Sequence, residues 1–240
     1  MADMDLREQG RDVHGNTIHT DQRLFMQLLA FGNCPDPTPL ISALSSSDLK
    51  AALYVDVNDP QGVALVAAHA SPDFFVTDLR DFLNNSAFSS GRLKPEYTMF
   101  GRSYSIGYEA DLDHVLMQRP VQRLLNPQAP WAVWYPVRRK GGFAQLPDEE
   151  QRDILSEHGR LGAAFASRNH GQDIRLACYG MDKYDNDFVI GLVGADLFPL
   201  SAMVQAMRKT RQTSEFLDNL GPFFIGKAVW QSTLPDSVEP

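Results

Sequence analysis

The stretch DPQGVALVAAHASP (Asp59–Pro72) returns in outline as DNDFVIGLVGADLFP (Asp185–Pro199). Each runs from a turn through an apolar strand to a helix opened by proline, since proline is tolerated in a first helical turn. The surrounding segments repeat in the same order. Before the first copy stand an apolar run Arg23–Asn33, a short helix within SALSSSDLK and a strand at Tyr54–Val57. After it come a helix capped at Ser71 and an aromatic strand in EYTMFGRSYSIGYEA. The second half reads as WAVWYPVRR, a strand interrupted at Pro136, then a helix Pro147–Ala166 and strands IRLACYGM and FVIGLVGA. A helix in LFPLSAMVQAMRKT and a closing strand GPFFIGKAVW complete it.

Strand–helix–strand–strand–helix–strand, twice, predicts an α+β chain of two ferredoxin-like halves. Their antiparallel sheets would close into a dimeric-type α+β barrel with outer helices. The expected division is a flexible N-terminal tail 1–20, halves at 21–125 and 126–230, and a tail 231–240. The 240 residues, 43% apolar and 22% charged, suffice for such a core. A net charge of −8 without a Lys/Arg run argues against nucleic acid as a partner. The N-terminus has no apolar run, so neither a signal peptide nor a membrane span is expected, and the cytoplasm is the default. Cys34 and Cys178 form no Cys-x-x-Cys pair.

The helix DEEQRDILSEHGRLG (Asp148–Gly162) opens with three acidic residues and places His158 with Ile154, Leu155 and Leu161. A histidine there is either a core residue donating to a carbonyl or a metal ligand. No second histidine follows at i+3 or i+4, which disfavours zinc and leaves a single axial ligand to haem open. In DIRLACYG, Arg175 alternates with apolar neighbours. Its guanidinium is either solvated or aimed into a cavity as an anion site. Trp131, Trp134, Tyr135, Arg138 and Arg139 form either a solvated strand end or an aromatic wall with cations for carboxylates. Glu149, Glu150 and Glu157 read as a solvated helix face.

Trp134–Gly162, Gly180–Leu197 (GMDKYDNDFVIGLVGADL), Val204–Phe216 (VQAMRKTRQTSEF) and Leu220–Gly226 (LGPFFIG) together resemble the chlorite dismutase superfamily, which includes coprohaem decarboxylases. The resemblance implies haem b or coprohaem as cofactor, hence iron, and a homo-oligomer, commonly a pentamer. It makes His158 the axial ligand, Arg175 the distal residue (Asp173 by a second count) and Tyr135 the decarboxylases' reactive tyrosine. Arg139, with Arg138 beside it, and Ser214 fall at propionate-binding places. Phe143 replaces a family tryptophan, and Gln212 stands where chlorite dismutases place the Glu that accepts the axial histidine's proton. The implied activity is peroxide-driven oxidative decarboxylation of coprohaem in haem biosynthesis. The alternatives are chlorite decomposition to chloride and dioxygen, a haem carrier or peroxidase-like protein of low turnover, and a haem-free relative.

Overall fold

The computed structural model describes residues 4–234. An N-terminal hairpin, β1 (Glu8–Arg11) and β2 (Thr17–Thr20), precedes the first half. That half comprises β3 (Phe25–Gly32), α1 (Thr38–Ser45), β4 (Ala51–Asp56), β5 (Val63–His69), α2 (Asp78–Asn85), a short β6 (Arg92–Leu93) and β7 (Met99–Arg102). A linking helix α3 (Arg119–Leu124) leads to β8 (Trp131–Arg139), α4 (Asp148–Ala166), β9 (Gln172–Ala177) and β10 (Phe188–Gly194). The chain closes with α5 (Leu197–Met207), α6 (Arg211–Phe216), β11 (Leu217–Leu220) and β12 (Phe224–Gln231).

The pairing shows why the repeated motif decides the fold. In the first half the strands lie in the order β7-β3-β5-β4, in the second β12-β8-β10-β9. Both orders are fourth-first-third-second, the ferredoxin-like arrangement. β4 pairs with β12 at one seam, and β7 meets β9 at the other through Arg102 and Ala177. The sheet therefore closes on itself, which removes its open edges.

Alternation along each strand sorts residues to two faces. Met26, Leu28, Tyr54, Val66, Trp134, Ile174, Leu176 and Phe224 fill the barrel. The Trp134 indole lies flat on Gly191, its register partner, where an added Cβ would stand 2.6 Å from the ring. Outside, the halves differ. Over the first half, Phe31, Phe74, Phe75 and Phe88 fill the space between sheet and helices. Over the second, Val133 and Leu192 of the sheet pack against Leu200 and Met203 of α5, and α4 leaves a cavity.

Several expectations change. Residues 4–20 are not a loose tail, because the hairpin binds the body of the protein through Glu8 and Arg11. The expected C-terminal tail is fixed as far as Ser232, whose N–H donates to Ala51; residues 235–240 lie outside the described part. β8 is not interrupted at Pro136. The neighbouring chain changes from β11 to β12 across Gly221–Phe223, so the absent proline N–H falls at a break in that strand. The Ser71 cap is present, its Oγ accepting from the Asp73 N–H at 3.2 Å, but it opens a 3-10 turn ahead of α2.

Candidate functional site

A cavity of about 990 Å³ lies between the outer face of β8, β9 and β10 and the inner side of α4. Pro147, fixed just before α4, and Asp148, Glu149 and Glu150 in its first turn start the helix favourably. Ile154 is buried at 2% exposure, whereas Leu155, His158, Gly159 and Ala163 line the cavity. An added Cβ at Gly159 would meet nothing within 4 Å, so the helix surface is open beside His158.

His158 is held by α6 through two adjacent contacts. Its Nδ1 lies 3.2 Å from Thr210 Oγ1, and the Arg211 N–H donates to Glu157 Oε2 at 3.0 Å. The Arg211 guanidinium also meets Glu150 Oε1 at 3.0 Å. Glu150 and Glu157 are thus more than a solvated face, since they bring Thr210 to the histidine. The Thr210 hydroxyl, 4% exposed as a residue, spends its proton on the Met207 carbonyl at 2.8 Å. It can then only accept from His158, which places a proton on Nδ1 and leaves the Nε2 lone pair without a protein partner among the described residues. Burial holds the imidazole's pKa below its ordinary value; Arg175 and Arg139 act in the same direction, while Asp173 opposes.

Tyr135 is 8% exposed and stacks on Phe223 with ring centroids 4.6 Å apart. The strand break that accommodates Pro136 is what places Phe223 there. Burial pushes the Tyr135 phenol well above its usual range, so it stays protonated. Arg139 reaches the same cavity with its guanidinium over the rings of Phe143 and Phe188, at 4.4 and 5.0 Å. Its Nε is buried without a partner. Arg175 also lines the cavity, its Nε 3.1 Å from Asp173 Oδ2. Asp173 in turn receives Arg123 at 3.0 Å, so it braces Arg175 and does not itself line the cavity.

Three sequence assignments fail on geometry. Arg138 faces away and clamps the turn before β10, donating to Tyr184 O at 2.7 Å and Asp185 Oδ2 at 2.9 Å. Ser214 is not on the cavity wall, and its hydroxyl donates to Thr210 O at 2.9 Å, one helical turn back. Gln212 lines the cavity but does not bond His158; Thr210 takes that place. The sequence reading missed Thr210, Tyr104, Thr213 and the further cations Arg152, Arg160 and Arg208, all but Thr210 on the cavity wall.

The family model for chlorite dismutase matches residues 63–229, which is well over half of the chain. The chain belongs to the chlorite dismutase family. A protein of Natronomonas pharaonis, provisionally named a heme-binding protein, is 25% identical over 209 residues, 75% of this chain and 34% of that one. The chain thus spans about a third of that relative's length. Among solved structures, a heme-binding protein from Thermus thermophilus superposes with TM-score 0.67 at 17% identity, covering 86% of this chain and 91% of that one. A cyanide complex of a variant chlorite dismutase from Candidatus Nitrospira defluvii gives TM-score 0.66 at 16% identity, covering 87% and 92%. At these identities the structural likenesses establish the fold alone. Among the described residues no helix is long and apolar enough to cross a membrane.

Proposed function

We propose that the chain binds an iron tetrapyrrole through His158 Nε2 and decarboxylates coprohaem with peroxide as the oxidant. The observation that carries this reading is one cavity shared by His158, Tyr135 and five arginines, Arg139, Arg152, Arg160, Arg175 and Arg208, in a chain of net charge −8. Among the described residues, Asp148 is the one carboxylate on its wall. Cations concentrated in an acidic protein suit a ligand bearing several carboxylates.

The residues present fit the group. Nε2 of His158 is free to coordinate, and Val137, Ile190, Leu155 and Met207 supply apolar walls for a flat macrocycle. The orphaned Arg139 Nε is a donor awaiting an acceptor. Iron bound there would supply the redox chemistry with peroxide. In balance, one propionate, one peroxide and one proton give a vinyl group, carbon dioxide and two waters. Arg139 would orient a carboxylate through its fork of N–H donors. Tyr135 would release and regain the proton on its phenol oxygen as it relays an electron from the propionate. Arg175, braced by Asp173, would hold the peroxide or another small anion.

Chlorite decomposition is the second reading, favoured by Arg175 on the cavity wall. Against it, Thr210 is a neutral acceptor for the His158 proton and draws less electron density to Nε2 than a carboxylate would. Reconstitution with coprohaem, followed by peroxide and mass spectrometry, tests the proposal. Loss of two carboxyl groups supports it. Absence of a Soret band on reconstitution, or dioxygen release from chlorite without any decarboxylation, overturns it.

A further inference from the structure

The N-terminal hairpin takes no part in the site as described, yet its contacts converge on one wall of the cavity. Tyr104, Ile106 and Tyr108 belong to that wall, on a segment without regular secondary structure that follows β7. The Tyr104 ring packs on Phe188 with centroids 5.6 Å apart, but Ile106 is 54% exposed and Tyr108 64%, so little packing holds the segment beyond Tyr104. Hydrogen bonds hold it instead. The Glu109 carboxylate accepts from the N–H groups of Ile106, Gly107 and Tyr108, each at 3.0 Å, and ties the turn to itself.

The second anchor comes from β1. Glu8 Oε2 accepts from Ser105 N–H at 2.9 Å and from Ser105 Oγ at 3.1 Å, while Oε1 takes Arg102 at 2.7 Å. The Glu8 side chain is only 11% exposed, so these bonds are shielded from competing water. The Gln9 N–H returns a bond to Ser105 Oγ at 3.2 Å, and the Arg11 N–H donates to Glu109 O at 3.0 Å. Between them, β1 lies flush on the segment. A Cβ at Gly10 would stand 2.3 Å from Glu109 O and 2.9 Å from Leu112, which leaves no room for another residue.

We propose that the hairpin is a strap, with Glu8 a positioning residue that fixes the Tyr104–Tyr108 wall of the ligand chamber and so sets how long a bound tetrapyrrole stays. The identity of the ligand rests on the reading above; the strap itself does not. Two bonds to one carboxylate oxygen are charge-assisted and among the stronger kinds. Losing them should raise opening of the segment about tenfold.

The test is Glu8→Gln, whose amide presents a donor where donors already converge, with Gly10→Ala as a second variant acting through sterics. Amide hydrogen exchange over residues 104–109 in the unloaded protein should speed about tenfold in both. Haemin release to excess apomyoglobin should accelerate by a similar factor, while the Soret band keeps its wild-type shape because His158 is untouched. Wild-type exchange over 104–109 in both variants would overturn the proposal. So would a loosened segment with an unchanged haemin release rate. If a variant fails to fold, exchange in the unmodified chain decides, since a Ser105 N–H without protection contradicts the strap. If the unmodified chain takes up no haemin, the haem reading fails, and the exchange result alone judges whether Glu8 positions the wall.

Discussion

Thr210→Val isolates the group that the structure, and not the family resemblance, places behind His158. Valine keeps the shape and removes one oxygen. Three contacts go with it, from His158 Nδ1 at 3.2 Å, to Met207 O at 2.8 Å and with Thr213 Oγ1 at 3.4 Å. The last two losses act at the corner between α5 and α6. The first leaves a partly buried N–H without an acceptor, at a cost of about 1–3 kcal/mol, or lets the proton shift to Nε2, where it would block coordination. Either route weakens a ligand on Nε2, and the loss of such a supporting acceptor typically costs about 10–100-fold in metal affinity. Haemin titration followed at the Soret band should show that loss in Thr210→Val and near-normal affinity in Thr210→Ser. Nitrogen-15 NMR of the unloaded protein should show Nδ1–H in the wild type and a mixture of tautomers in Thr210→Val. Gln212→Ala should leave the tautomer unchanged, because the His158 ring makes its hydrogen bond with Thr210 and not with Gln212. A Thr210→Val protein with wild-type affinity and an unchanged tautomer would refute the reasoning, as would a tautomer shift in Gln212→Ala.

Tyr135→Phe should retain haemin binding and lose decarboxylation, since it removes a phenol and preserves the stack on Phe223 at 4.6 Å; product mass spectrometry decides. Arg139→Leu should weaken haemin but not its dimethyl ester in Soret titrations, because a guanidinium over two aromatic rings acts on the carboxylate. Arg138→Leu should separate from it by leaving both affinities close to wild type. Gly191→Ala should cost about 1–3 kcal/mol in urea unfolding, the Trp134 ring having to move from a position 2.6 Å from the new Cβ. For the unloaded protein, the lowered pKa of His158 makes the unfolded chain bind more protons than the folded one. The contribution to stability is present above the unfolded value of 6.5 and is lost as pH falls from there through the folded pKa. The unfolding midpoint should therefore drop below pH 6.5, and less so in His158→Asn.

The fold was legible because barrel closure depends on strand order, and strand order follows from a turn–strand–proline pattern repeated in each half. The candidate site was legible wherever parity alone decides. Along β9, Ile174 and Leu176 go inside the barrel and Arg175 to the cavity, as alternation requires. Along β8 the same rule puts Tyr135, Val137 and Arg139 on the cavity face and Trp134 inside, so Arg138 cannot share the site with Arg139. That signal was present in the sequence, and the resemblance to a basic pair obscured it. Residues whose placement depends on one element meeting another carried no comparable signal. Thr210 sits in the polar run RKTRQTS and acquires meaning only because Arg211 is drawn onto Glu150 and Glu157 of α4. Ser214, counted off the same run, lies one turn away and spends its hydroxyl on the Thr210 carbonyl. The hairpin failed for a related reason. Its apolar content is too small for a periodic pattern, and its stability comes from hydrogen bonds across 97 residues, Glu8 to Ser105. The helix after β7 went unread; it runs through a π-helical turn, His114–Gln118, directly into α3, and Pro120, which can donate no backbone hydrogen bond, sits just behind that turn. Apolar periodicity thus locates what packs. The polar groups that orient His158 and fix the cavity wall are specified by pairs of distant residues, which no local pattern encodes.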